Sequence, residues 1–394
     1  ISRFRLYPDA AQVEALLAQC GHARYVWNLG HEQRAAYRPG RGPTPGYHEQ
    51  ARQLTEARAE HAWLAAGSQI VQQQALRDLD QAWRNFFNGT HRRPGFRRQG
   101  VHEGFRIVGP AASRVRQDNG RWASVLVPKV GWVRFRRSRP VPAAKSYRVR
   151  RDRAGRWHIA FAAIPDPIGP PGTGSVVGVD RGVAVSAALS TGELLFCPGL
   201  RPGEVKRLRW LQRRAARARR GSNRRGRIKG QIARLKAREA DRRRDWVEKT
   251  STGLARRYDV IRVEELNIRG MTRSARGTVA APGRNVAGKA GLNRGILAHG
   301  WGLLVRRLEQ KAPGRVERVP AAYTSQRCSA CGHTAPGNRE SQAVFRCVAC
   351  GHTAHADVNA AVNIAAGRAV TARGGMALAV PANREPQQHE LLFG

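Results

Sequence analysis

Two cysteine pairs constrain this chain of 394 residues more than any other feature. Cys328 and Cys331 form one C-x-x-C pair, Cys347 and Cys350 form a second, and 15 residues separate them. Each pair runs on into Gly-His, so the knuckle C-x-x-C-G-H occurs twice. The glycine permits a left-handed turn that aims backbone N–H groups at sulfur. Four thiolates on two such knuckles predict a zinc ribbon holding one structural Zn2+ in tetrahedral coordination. Four sulfurs already close the site, so His333 and His352 are not expected as ligands and this metal keeps no open catalytic position. Clustered cysteines argue against a disulfide framework. Cys20 and Cys197 stand apart and read as buried small hydrophobes.

Charge points to the partner. Lys and Arg total 70 against 28 Asp and Glu, a formal net charge of +42. Such an excess predicts a polyanionic partner, because each cation placed on a phosphate releases counterions. Most of the cations are arginine, whose planar fork grips phosphate and stacks on bases. Apolar residues make up 41% of the chain, too many for global disorder. No apolar run reaches about 18 residues, so no membrane-spanning helix is expected. The opening ISRFRLYPDAAQ lacks an apolar signal core. The expectation is a soluble, cytoplasmic protein with no membrane contact and no implied oligomer. The chain begins at Ile1 and not at Met, so some N-terminal residues are expected to be missing.

The periodicity divides the chain. Residues 1–7 alternate like a short strand that Pro8 ends. From Asp9 to Tyr37 the pattern is helical, through Val13, Leu16, Leu17, Cys20, Val26, Trp27 and Leu29. A second helical stretch covers 47–88, with Leu54, Trp63, Leu64, Ile70, Leu76, Leu79, Trp83, Phe86 and Phe87 facing a core. From 101 to 165 the period drops to two, with turns at Asp118-Asn119-Gly120 and Arg153-Ala154-Gly155, which predicts a small antiparallel barrel. A Pro- and Gly-rich linker spans 166–174. Beyond it come apolar strands, a basic helical region over 202–257, a loop over 272–292, a helix over 294–312 and the cysteine module.

Acids at element ends form the second constellation. Asp180 follows the apolar run Val176-Val177-Gly178-Val179. Glu264 and Glu265 end the run from Val260 to Val263. Asp357 stands at the head of a helix running to Gly367. An acid buried beside apolar strands is costly unless a metal neutralises it. Three such acids converging would hold two Mg2+ ions, a geometry suited to in-line phosphodiester hydrolysis. Spacing alone leaves other roles open: Asp180 before Arg-Gly as a turn residue, and Asp357 as a helix N-cap. The run over 206–244 is nearly all of one sign, which favours a phosphate-facing surface over a merely solvated helix face.

In these residues the chain resembles the TnpB family, transposon-encoded RNA-guided DNA endonucleases ancestral to type V CRISPR effectors. The resemblance runs in order from FRLYP at 4–8 through Arg24-Tyr25-Val26-Trp27-Asn28. Next come Gln74 to Ala82 and Pro94-Gly95-Phe96. VGVDRG, VEELNIRGM, TSQRCSACGH, FRCVACGH and HADVNAAVNI complete it. It covers residues 1–367.

The resemblance implies an α+β multidomain chain. Its core would be a RuvC-like, RNase H-type nuclease fold with a zinc-ribbon insertion, joined to a β-barrel wedge that carries an inserted helical recognition lobe. The wedge would comprise 1–8 and 101–167 and the recognition lobe 9–100. The nuclease domain would comprise 175–323 and 355–369, the target-binding ribbon 324–354, and the tail 370–394. The catalytic, Mg2+-holding triad would fall on Asp180, Glu264 and Asp357. Glu264 is preferred over Glu265 because it takes the family's first acidic position after the strand. Zn2+ would sit on Cys328, Cys331, Cys347 and Cys350. The implied partners are a guide RNA encoded near the transposon end and double-stranded target DNA with a short adjacent motif. An RNA-guided DNA-binding repressor without cleavage, a guide-free zinc-ribbon protein and a compact type V CRISPR effector are the competing readings. The role of His355-Ala356, where many relatives differ, stays open.

Overall fold

A computed structural model describes residues 2–36 and 44–367. They fall into two units: Ile1–Pro165 with Arg209–Arg234, and Asp166–Leu208 with Leu235 onward. The tail from 370 lies outside the described residues.

The first unit opens with strand β1 (Ser2–Arg5) and helix α1 (Ala10–Ala35). Pro8 stops the strand, and Asp9 starts the helix with a capping box: its carboxylate accepts from the Gln12 amide at 2.8 Å while the Gln12 side chain accepts from the Asp9 amide. The expected single helical stretch is three helices, α2 (Tyr47–Glu60), α3 (Ala62–Ala66) and α4 (Gln69–Phe87). His61 breaks the first by turning extended. At Gly67 a side chain would meet the His22 ring at 2.7 Å, so only glycine lets the chain double back there.

Five of the nine expected core residues in this stretch are buried: Leu54, Leu64, Leu76, Leu79 and Trp83. Ile70 and Phe86 are half-buried. Trp63 and Phe87 are not core. Trp63 is 50% exposed and lies over His22 and Tyr25 at the surface, and Phe87 is 74% exposed, stacked on Trp83. Both sit at a helix end or in a short helix, where the 3.6 period no longer selects a face. Cys20 is buried, as expected of a small hydrophobe, whereas Cys197 is only half-buried.

The period-two region forms β2 (Gly104–Val108), β3 (Val115–Gln117), β4 (Trp122–Val127), β5 (Gly131–Arg136), β6 (Ser146–Arg151) and β7 (Trp157–Phe161). One antiparallel sheet has the order β1-β7-β6-β2 and another β3-β4-β5. A single bridge between Leu6 and Phe135 joins them. Alternate residues of both sheets (Phe4, Phe105, Ile107, Val125, Val133, Phe135, Val149, Ile159, Phe161) make one core with Leu16, Cys20 and Val26 of α1.

The second unit is built on a mixed sheet of β8 (Val176–Asp180), β9 (Ala187–Leu189), β10 (Leu194–Leu195), β11 (Val260–Glu265) and β12 (Val316–Pro320). Its order is β10-β9-β8-β11-β12, with β8, β11 and β12 parallel and β9 antiparallel to β8. Val177, Val179, Ile261 and Val263 point to one face and join Val247, Leu254, Leu304 and Leu308 in the core. Helices α5 (Pro202–Arg217) and α6 (Asn223–Arg257), whose stretch Arg209–Arg234 belongs to the first unit, are the basic region, parted near Gly221, whose φ is +83°. They bury Leu208, Leu211, Ile228 and Leu235 while Arg207, Arg213, Arg220, Arg224, Arg227 and Arg234 stay exposed.

After β11 come α7 (Ile268–Met271), α8 (Val286–His299) and α9 (Trp301–Lys311). The expected loop over 272–292 is therefore partly helix, and the expected helix over 294–312 is two, broken at Gly300 with φ +68°. Four glycines between 283 and 295 hide the helical pattern in the sequence. The gain is contact: Lys289 and Asn293 of α8 donate to the carbonyls of Met271 and Thr272. A short hairpin, β13 (Val344–Arg346) and β14 (Thr353–His355), leads into α10 (Ala356–Ala365).

Candidate active site and metal centre

The sheet face opposite the core carries the acids, and strand alternation puts them there. With Val177 and Val179 inward, Gly178 and Asp180 face outward; with Ile261 and Val263 inward, so do Arg262 and Glu264. The register pairs Gly178 with Arg262 and Val179 with Val263, so Asp180 and Glu264 stand side by side at the ends of adjacent parallel strands. Glu265 faces the other way and is exposed.

Helix α10 crosses this face at Gly178. A Cβ there would lie 2.0 Å from the Ala361 carbonyl oxygen and 2.4 Å from the Ala365 nitrogen. Only glycine permits that approach. From the crossing, Asp357 lies one helical turn back and Asp180 two strand residues on. Each step is about 6 Å, so the third acid arrives at the level of the first.

The side chains are held individually. Asp180 and Glu264 share a hydrogen bond. Glu264 Oε1 accepts from Thr324 Oγ1 at 2.9 Å. Asp357 Oδ1 accepts from Arg339 Nη2 at 3.1 Å, and Asp357 is buried. The N-cap of α10 is not Asp357 but His355, whose Nδ1 accepts from the Asp357 amide at 3.3 Å. That supplies the role left open for His355. Asp180 as a residue retains some exposure, but protein surrounds its carboxyl. Burial, then the negative charges of Glu264 and Asp357, push that carboxyl well above the usual carboxylate range, against the pull of Arg339. Burial raises Asp357 as well, offset by Arg339 and His355.

An enclosed cluster of oxygen donors, in which burial and then neighbouring negative charge resist the ionisation of Asp180, fits hard divalent cations. Asp180, Glu264 and Asp357 are the residues that would hold them.

The four cysteines converge as well. Their sulfurs all lie within 4.8 Å of one another. Cys328 and Cys350 are 3.8 Å apart, and Cys331 and Cys347 3.5 Å. Zinc–sulfur bonds of about 2.3 Å in a tetrahedron require edges of about 3.8 Å, so the donor set fits Zn2+. Gly332 and Gly351 take φ values of +77° and +72°, and the Cys328 and Cys347 amides donate to the carbonyls of His333 and His352. The two histidines thus serve the knuckles through their backbones. Burial pushes the Cys347 thiol up, but backbone hydrogen bonds from Cys350 and Ala349, with those of the Cys331 and Cys350 thiols, together bring it down to about 6.

Several residues escaped the sequence reading. Asn359 and Asn363, four apart on the buried face of α10, donate to the Arg327 carbonyl at 2.7 Å each. Asn363 also donates to the Thr324 carbonyl. They clasp the root of the cysteine module to the helix that carries Asp357. Paired asparagines on an otherwise apolar helix were the available signal. Arg181, Thr324 and Arg339 gave none, because their roles depend on contacts across 18 to 83 residues of sequence.

A mixed sheet bearing acids beneath a crossing helix, with a cysteine module leading into that helix, defines an α+β protein of the RuvC-containing class. Family models match in three places: "Cas12f1-like, TNB domain" over residues 301–364, "Probable transposase" over 145–275, and "Helix-turn-helix domain" over 2–41. The chain is 38% identical to "Putative RNA-guided DNA endonuclease InsQ" of Escherichia coli strain K12, over 98% of this chain and 97% of that one. It is 31% identical to "Putative RNA-guided DNA endonuclease" of Streptomyces pristinaespiralis, over 94% and 90%. Among solved structures, the Cas12f1–sgRNA–target DNA complex shares the fold, with a TM-score of 0.53 at 12% identity, over 91% of this chain and 83% of that one. The chain belongs to the TnpB family.

Proposed function

We propose that this protein is a transposon-associated RNA-guided DNA endonuclease and that Asp180, Glu264 and Asp357 are its catalytic acids. The observation that carries the reading is their convergence from three distant segments onto one sheet face, with Asp180 held far from its ordinary ionisation. Such a cluster is expensive to bury and is explained by the cations it would accept. Divalent metal bound there, Mg2+ in the first instance, would supply charge stabilisation at a phosphodiester undergoing in-line displacement. Thr324 orients Glu264, and Arg339 offsets charge at Asp357 until a cation does so. The four cysteines would hold one structural Zn2+, keeping the module firm at the base of α10.

The partners follow from charge and family. Exposed arginines along α5 and α6 suit the backbone of a guide–target duplex. The two linked sheets of the first unit would serve as the barrel wedge, α1 to α4 as the recognition lobe, and together they would meet a short motif beside the target. Among the described residues no helix is long and apolar enough to cross a membrane, and the proposed site of action is the bacterial nucleoid. The relatives named above are RNA-guided DNA endonucleases by name.

The test is to sequence the RNA that co-purifies with the protein and to challenge the complex with matching DNA. A discrete RNA ending in a variable segment, with Mg2+-dependent cutting of the match, is expected. Absence of any discrete RNA would defeat guided recognition.

A further inference from the structure

Arg181 follows the first acid directly and is 5% exposed. Burying a guanidinium is costly unless it is used. The β8–β11 ladder ends at the pair Val179–Val263, because the chain turns after Asp180, with the Gly182 amide bonding to the Val185 carbonyl. One residue past that last pair, the Glu264 main-chain carbonyl takes its donor from the Arg181 side chain. Arg181 therefore replaces a missing ladder bond between the two strands at the level where their acids meet. On its other side Glu264 is fixed by Thr324 through the carboxylate. The Asp180 turn is tied down in turn by the Trp301 indole, which donates to the Gly182 carbonyl at 3.2 Å.

We infer that Arg181 is a positioning residue: it sets the spacing of Asp180 and Glu264 through the Glu264 backbone and offsets their mutual repulsion from behind. The two tasks pull metal affinity and turnover in opposite directions. A cation beside the acids weakens binding of a second cation, so its removal strengthens metal binding electrostatically. Its removal also frees Glu264 to drift, and misplacement of a catalytic group by about 1 Å can cost on the order of a hundredfold in rate. A merely structural arginine would lower both quantities together. Arg181's charge interacts with both Glu264 and Asp180, which supports the electrostatic half.

This inference rests on the reading of the three acids as the metal site. The test titrates purified protein with Mn2+ alone, followed by electron paramagnetic resonance, and separately measures guided cleavage at saturating Mn2+. Arg181→Gln removes the charge and shortens the donor. It should bind Mn2+ roughly three- to tenfold more tightly than wild type, and cut at least roughly tenfold more slowly. Arg181→Lys keeps the charge but loses the fork; it should bind Mn2+ like wild type and cut at an intermediate rate. If Arg181→Gln does not fold, Arg181→Lys decides alone: wild-type turnover in that variant overturns the proposal. Arg181→Gln binding Mn2+ no more tightly than wild type, or cutting within twofold of it, also overturns it. The Mn2+ titration needs neither guide nor target. Failure of wild type to cut would therefore count against the endonuclease reading, while the affinities still judge Arg181.

Discussion

The cysteine module and the carboxylate cluster both gather donor atoms that suit a metal ion, and they are assembled in opposite ways. The four sulfurs come from 23 consecutive residues, Cys328 to Cys350, and each knuckle closes on its own backbone. The three acids come from positions 180, 264 and 357 and meet only because a sheet register, a glycine and a helix crossing agree. Soft thiolates on local turns make a closed site that lends rigidity. Hard carboxylates brought together from afar make a buried, like-charged site that favours a cation. The difference implies that damage to the first should act indirectly and damage to the second directly.

The sharpest contrast lies in the acids themselves. Asp180→Ala or Asp357→Ala should lower cleavage by roughly a thousandfold or more, while RNA binding, spread over many arginines, stays nearly intact. Quantifying guide RNA retention beside cleavage checks both halves; a variant that cuts at wild-type rate removes that acid from the set. Glu264→Gln should follow, with a loss of about a hundredfold or more.

The cysteine module comes next. Cys347→Ser should reduce cleavage by on the order of a hundredfold by loosening the root of α10, only seven residues before Asp357 if counted from Cys350. Limited proteolysis should show a nicked module and an otherwise folded chain, and added Mg2+ should not rescue it. Normal cutting by this variant would break the claimed coupling. Gly178→Ala should act through packing, since its new methyl group overlaps the Ala361 carbonyl. It should destabilise the fold by about 2–3 kcal/mol, read as a lowered Tm, with a parallel fall in activity. Smallest of all, Glu265→Gln should change cleavage less than about twofold, because neighbouring strand residues face opposite sides. Equal losses at Glu264 and Glu265 would overturn the register.

The same contrast explains what the sequence made legible. The cysteine module could be read outright, because ligand spacing is a local property. The strand before Asp180, the strand before Glu264 and the helix after Asp357 were visible from their apolar runs, yet their meeting was not. It depends on Gly178, an unremarkable glycine in a strand, accepting a helix at van der Waals contact. Resemblance to a family, not spacing, singled out Glu264 from its neighbour. Helix α8 is hidden because glycines at 288, 291 and 295 lower its apparent propensity, while bonds to the 271–273 segment support it. Periodicity places Trp63 and Phe87 in the core because a helical period cannot tell a buried aromatic from one lying on the surface beside other rings.

On the proposed reading the two centres hold different metals for different ends. One measurement tests it most directly: RNA-bound protein is assayed on a matching plasmid as Mg2+ is withdrawn and restored, with the zinc content of the same sample followed by elemental analysis. The account predicts one zinc per chain throughout, cutting that stops without Mg2+, and cutting that returns with it. Cutting that persists without Mg2+, or that rises and falls with zinc, would contradict it.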